Sequence, residues 1–249
     1  MSGHSKWSTI KRKKGVADAR RGKIFTKLIR EIATAARMGG GEPDANSRLR
    51  LAMDRARLAN MPKDNIQRAI KTGTGGNDTQ AYDEVAYEGY GPGGTAVYVE
   101  VLTDNKNRTV GEVRHILTRY GGNLGASGCV AYLFDKMGSL SFDRQGIETD
   151  QLLEAALDAG ADDVTESEDS IDVVTSVATF EKTKRMLENA GFTPTRAGIL
   201  MQPSSTVALE GSQAESMLRL ADALEELDDV QSVYANFDIS EEEMARIAG

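Results

Sequence analysis

The sequence predicts an α+β protein: a small N-terminal three-helix domain plus two ferredoxin-like β-α-β-β-α-β domains, one inserted in the other. Three observations carry this reading. Apolar residues recur at helical spacing as far as about residue 72, the stretch TGTGGND interrupts them, and alternating strand-like and helix-like segments follow. The charge divides at the same place. Residues 1–76 hold 18 Lys and Arg against 6 Asp and Glu, a net of +12, whereas the remainder holds 12 against 32, a net of −20.

Residues 1–13 show no apolar periodicity, and the adjacent cations Lys11, Arg12, Lys13 and Lys14 repel one another. This stretch reads as an extended arm that orders on a polyanion. A first helix begins near Asp18. Ile24, Phe25, Leu28, Ile29, Ile32 and Ala36 form its apolar stripe, with Lys23, Lys27 and Arg30 on the other side, and Gly39, Gly40 and Gly41 stop it. A second helix follows Pro43 and Asp44, burying Leu49, Ala52, Met53, Ala56 and Ala59. A third spans NMPKDNIQRAIKTG, with Pro62 at its start, Gly73 just past its end, and Ile66, Ala69 and Ile70 inward.

Beyond the linker, YDEVAYEGYGPGG gives a strand and a turn, TAVYVEVLT a strand, RTVGEVRHILTRYG a helix and CVAYLF a strand. After a turn at DKMG, a complete β-α-β-β-α-β series runs through SLSF, TDQLLEAALDAG, DDVTES, SIDVVTS, FEKTKRMLENAG and TRAGILMQ. STVALEG, SQAESMLRLADALEELDD and VQSVYANFDI close the chain as strand, helix and strand. The middle series is whole and the flanks each supply half, so residues near 95–135 and 204–240 are expected to pair. The expected organisation is a basic helical nucleic-acid-binding domain (1–76), a split α/β domain (77–135 and 204–249) and an inserted acidic α/β domain (136–203).

With 249 residues, 40% of them hydrophobic, the chain can bury a sizeable core. No run approaches the roughly 18 apolar residues of a membrane span, and the start lacks the apolar stretch of a secretory signal. Cys129 is the single cysteine, which excludes intrachain disulfides; a reducing cytoplasm fits.

Chemistry-bearing patterns are sparse. His4 and His115 are the only histidines, and no H-E-x-x-H, G-x-S-x-G or G-x-x-x-x-G-K-[ST] occurs. A Cys129–His115 dyad is formally possible, but Cys129 opens an apolar run where cysteine is usually a small buried hydrophobe. GYGPGG precedes a strand instead of opening a helix, so it reads as a turn and not a phosphate loop. DAGADDVTESEDSID lacks calcium-loop spacing and reads as a solvated acidic edge. No metal, cofactor, membrane or small-molecule substrate is expected.

What remains is phosphate binding. Lys6, Lys11, Arg12, Lys13, Lys14, Arg20, Arg21, Lys23, Lys27 and Arg30 can neutralise phosphates, releasing counterions. Trp7, the sole tryptophan, either stacks on an unpaired base or packs the arm on the helices. Arg50, Arg55 and Arg57 read equally as ligands or as solvated helix face. Tyr90, Gly91, Gly93, Gly94, Asn123 and Gly125, in GYGPGG and GGNLGASG, are candidate contact-loop residues.

Together MSGHSKW, RGKIFTKLIREI, NMPKDNIQRAI, YEGYGPGGTA and GGNLGASG resemble the YebC/PmpR family of bacterial regulatory proteins, whose relatives include mitochondrial translational activators. The resemblance spans essentially the whole chain. It implies a helical domain and two α/β domains, no enzymatic activity and no cofactor. It also implies a DNA-binding transcriptional regulator by family label, or alternatively a ribosome-associated translation factor that binds ribosomal or transfer RNA and relieves stalled synthesis. Cys129 and Tyr132 stand where the family pattern more often has Ser and Trp, a departure expected to touch packing.

Overall fold

The computed structural model describes residues 17–75, 81–167 and 169–248. Helices α1 (Ala17–Gly39), α2 (Ser47–Leu58) and α3 (Lys63–Thr74) form the N-terminal helical region. Ile32, Ala35 and Ala36 of α1 meet Leu49, Ala52 and Ala56 of α2 and Ile66 and Ala69 of α3. The small residues let the helix backbones approach closely. Asn46 fixes the first corner: its side-chain oxygen accepts the amide of Leu49 at 3.0 Å, and its amide donates to the carbonyls of Ala35 and Gly40.

Two expectations change here. Gly73 lies inside α3, not beyond it; it allows close packing on α1, since a Cβ there would run into the carbonyl oxygen of Ala33. The buried side of α1 is also rotated from the expected one. Ile24 and Ile29 are exposed, while Lys23, Lys27 and Arg30 are half-buried against the α/β body. The acidic C-terminal end of a helix in that body draws them inward, as described below.

The body contains two four-stranded sheets. Strands β1 (Asp83–Tyr90) and β2 (Ala96–Thr103) form a hairpin across a tight turn at Pro92–Gly94, followed by α4 (Lys106–Arg119) and the short β3 (Asn123–Leu124). The second sheet comes next: β4 (Phe134–Asp143), α5 (Thr149–Ala159), β5 (Asp163–Glu166), β6 (Ser170–Ser176), α6 (Phe180–Asn189) and β7 (Arg196–Pro203). Its order is β5-β6-β4-β7, every neighbouring pair antiparallel, with Leu140, Phe142, Ile171 and Val173 of the strands packed with Leu152 and Ala156 of α5 and Phe180 and Leu187 of α6. Fully burying each of these large side chains contributes about 1.5–3 kcal/mol.

The chain then returns through β8 (Val207–Ala208), α7 (Gly211–Glu225), β9 (Val230–Ala235), β10 (Phe237–Asp238) and α8 (Glu241–Ala248). Strand β9 lies antiparallel against β2, with Val97 opposite Ala235, so the first sheet runs β3-β1-β2-β9. Met217, Leu220 and Leu224 of α7 and Val113 and Leu117 of α4 cover one face of it.

Three strand expectations are corrected. CVAYLF is no strand: Ala131–Leu133 forms a 3-10 turn held by hydrogen bonds to Glu88. DKMG is not a turn but part of β4, where its residues pair with Met201, Leu200 and Ile199 on one side and with Ser176 and Thr175 on the other. STVALEG supplies only β8, which pairs parallel with β10 outside both larger sheets. Asn236 separates β9 from β10, and its side chain accepts the Ala96 amide at 2.7 Å.

Candidate nucleic-acid interface

Of the basic residues singled out in the sequence, Lys6, Trp7, Lys11, Arg12, Lys13 and Lys14 lie outside the described residues. Arg20 falls in the first turn of α1, and Arg21 is exposed one residue later. Lys23, Lys27 and Arg30 have partners within the chain. Lys23 Nζ donates to the carbonyl of Glu226 at 3.0 Å and to its carboxylate at 2.6 Å, and Lys27 Nζ donates to the carbonyl of Glu225 at 2.6 Å. Arg30 donates to the carbonyl of Asp228 at 2.7 Å and to the carboxylate of Asp229 at 2.6 Å, and its guanidinium lies over the ring of Tyr82.

The acceptors are the last carbonyls of α7 and the acids that follow it, where the helix dipole adds partial negative charge. Burial lowers the proton affinity of Lys27, opposed by Glu225, Glu226 and Asp228. This face of α1 is tied to the α/β body in this structure.

Asp229 is the hub of that tie. It is only 3% exposed and accepts from Arg30, from Arg108 at 2.7 Å, from Thr109 at 2.6 Å and from Thr103 at 3.0 Å. Burial alone would raise its carboxyl, but these hydrogen bonds outweigh burial and hold it at about 2.

The helical region also docks on the second sheet through α2. Arg55 donates to the carbonyl of Ala197 and lies against Gly198, Arg50 pairs with Glu181, and Asp54 pairs with Lys184. Arg57 stays exposed beside Asp54. Further exposed cations in the helical region are Arg37, Lys63, Arg68 and Lys71.

The two glycine loops are brought together. Tyr90 pairs with Asn123 across the β1–β3 ladder, and the Gly125 amide donates to the Glu88 carbonyl at 2.8 Å. Gly122 packs against the backbone of Tyr90 and Gly91, Gly93 and Gly94 are exposed at the hairpin tip, and Gly91 is buried against Met217. Gly93 and Gly94 adopt φ of 71° and 75°, a region side chains disfavour.

The residue that organises these loops is one the sequence reading passed over. Glu88 is 5% exposed, and its carboxylate accepts the amides of Gly128 at 2.6 Å, Val130 at 2.9 Å and Ala131 at 2.7 Å. Burial would raise this carboxyl, and the three amides bring it below its ordinary value. Lone acid in an otherwise uncharged stretch (residues 85–99) was the available signal.

Residues 5–76 match the TACO1/YebC protein N-terminal domain, and residues 82–237 match the TACO1/YebC second and third domain. The chain belongs to the TACO1/YebC family. A probable transcriptional regulatory protein of Trichlorobacter lovleyi is 60% identical over 99% of this chain and 100% of its own length. One from Syntrophus aciditrophicus is 57% identical over the whole of both chains. The crystal structure of a conserved hypothetical protein from Aquifex aeolicus superposes with a TM-score of 0.85 at 48% identity, covering 90% of this chain and 93% of that one.

In this TACO1/YebC chain a cleft of about 860 Å³ lies between the helical region and both sheets. Arg48, on its wall, is bound by Glu31 and Glu84. Glu100, also on the wall, is pushed up by burial, while Tyr234 donates to it at 3.2 Å. Its cations Lys23, Lys27, Arg48 and Arg55 are bonded to acceptors within the chain. Cys129 is half-buried; burial and the neighbouring Glu88 push its thiol up, away from the reactive thiolate. His115 is exposed on α4. Among the described residues no cluster of His, Cys, Asp or Glu could hold a metal ion, and no helix is long and apolar enough to cross a membrane. Tyr132, expected to pack, instead projects into solvent with 75% of its surface exposed.

Proposed function

We propose that the chain is a non-enzymatic, cytoplasmic nucleic-acid-binding regulator of gene expression. Its phosphate grip is the basic N-terminal segment with Lys6, Trp7, Lys11, Arg12, Lys13, Lys14, Arg20 and Arg21. The carrying observation is the segregation of charge, a net of +12 in residues 1–76 against −20 in the rest, which attracts a polyanion to one end and repels it from the other. Residues 1–76 act as the binding domain, and the α/β domains (77–135 with 204–249, and 136–203) as the body that orients it. Lys23, Lys27 and Arg30 then serve to seat that domain on the body, since each already donates to an acceptor there.

The printed names of the relatives, probable transcriptional regulatory proteins, favour DNA as the target. A second reading is a translation factor that binds ribosomal or transfer RNA at the ribosome. The paired glycine loops favour it: an uncharged, backbone-rich surface suits the unstacked bases of folded RNA, which duplex DNA does not offer.

Ultraviolet crosslinking in growing cells, followed by stringent purification and sequencing of bound RNA and DNA, separates the two. Reads on ribosomal or transfer RNA that vanish when residues 1–16 are deleted identify a translation factor. Discrete, segment-dependent DNA peaks near promoters identify a transcriptional regulator. Background signal for both would sink the nucleic-acid reading.

A further inference from the structure

Tyr132 stands on a rigid base. The 3-10 turn that carries it is fixed by Glu88 through the amides of Val130 and Ala131, and the carbonyl of Leu133 accepts both the amide of Ser204 at 2.9 Å and its hydroxyl at 3.1 Å. The preceding carbonyl, that of Cys129, accepts the Tyr90 hydroxyl at 3.1 Å. An aromatic ring exposed on so constrained a backbone loses little conformational freedom when it binds, which is the condition for a contact residue.

The surroundings are equally distinctive. Residues 89–99, 120–134 and 202–209 contain no Asp, Glu, Lys, Arg or His, although the chain beyond residue 76 carries a net of −20. These three segments adjoin in space: Tyr90 pairs with Asn123, Phe134 pairs with Pro203, and Leu209 touches Gly93. Glu88 lies beneath them, and three amides compensate its charge. On a body that otherwise repels polyanions, these uncharged segments give a nucleic-acid strand its least acidic approach.

We propose that Tyr132 is a stacking platform for an unpaired nucleobase, so that the body adds a preference for single-stranded or looped nucleic acid to the phosphate grip of the basic segment. The proposal rests on the nucleic-acid reading above. Tyr132 supplies a flat, sequence-tolerant face, and the glycine loops beside it leave room for the strand's backbone.

The test uses the full chain and two fluorescein-labelled probes: an RNA single strand of mixed sequence, about 20 nucleotides long, and the blunt duplex of the same sequence. Tyr132→Ala is expected to weaken single-strand binding by about 5- to 100-fold, with the duplex affinity and the salt dependence unchanged. Tyr132→Phe and Tyr132→Trp keep a ring and are expected to retain wild-type affinity. Unchanged single-strand binding in Tyr132→Ala, or an equal loss on the duplex, overturns the stacking role. The variant with Lys11, Arg12, Lys13 and Lys14 all changed to Ala separates the two readings. If it and the wild type bind both probes with the same weak affinity, the underlying grip fails too.

Discussion

The guanidinium of Arg30, on the first helix, lies 2.6 Å from the carboxylate of Asp229, a residue 199 positions later in the chain. Arg108 meets the same carboxylate from α4, so one buried acid links the helical region, a helix over the first sheet and the turn before β9. Asp229→Asn is expected to destabilise the fold by about 2–4 kcal/mol, because two guanidinium groups lose their shared acceptor. Urea denaturation at neutral pH checks this.

The same carboxyl predicts a pH signature. Held at about 2 in the folded chain against an ordinary value of 3.8, it contributes stability that is complete above pH 4 and is lost as the pH falls through 2. The contribution is about 2 kcal/mol. Denaturation midpoints measured between pH 6 and pH 2 should therefore fall less steeply in Asp229→Asn than in the wild type, and parallel curves would count against the hub.

Salt dependence of binding distinguishes the two sets of cations. Replacing Lys11, Arg12, Lys13 and Lys14 with Ala is expected to flatten the log–log salt slope on duplex DNA by up to about four. Replacing Lys23, Lys27 and Arg30 is expected to leave that slope in place and to loosen the seat of α1 on α7, seen as faster amide exchange in both helices. A slope change in the second variant would mean that these residues leave Glu226 and Asp229 to contact phosphate.

Glu88→Gln removes the charge that three loop amides address. The net effect of those amides is to depress the Glu88 carboxyl, so its contribution is present above the ordinary carboxylate range and disappears as the pH falls below it. The substitution is expected to cost about 1–3 kcal/mol at neutral pH and to speed amide exchange at Gly128, Val130 and Ala131. Protection that stays at wild-type levels would show that the ladder holds the loop without the acid.

Two glycines form a matched pair. Gly73→Ala puts a methyl group against the Ala33 carbonyl and is expected to destabilise the helical region by about 1–3 kcal/mol. Gly111→Ala, within α4 and with no atom near its would-be Cβ, is expected to stabilise by about 0.5–1 kcal/mol. Thermal melts of the two variants in parallel make the comparison.

The three N-terminal helices were legible because their apolar period is strong and local, and so was the alternation that followed. The side of α1 that faces the body was not: what turns Lys23 and Arg30 inward is an acidic helix end about 200 residues away. Local reading also failed at DKMG, whose turn-like composition yields to pairing with β6 and β7 on both sides. It failed again at CVAYLF, where two hydrogen bonds to one glutamate outweigh the strand propensity of an apolar run. The basic segment was legible as charge alone. Glu88 was marked only as a lone acid and Asp229 not at all, since each draws its importance from partners that only the fold brings near.

The pairing of β2 with β9 also sets an order of events during synthesis. Val97 emerges well before its partner Ala235, and the whole second sheet is completed in between. At 5–20 residues per second the nascent chain carries β2 with one edge uncovered for on the order of ten seconds. Exposed edges of that kind recruit other strands, and β9, made only after the inserted sheet, is the strand that covers this one.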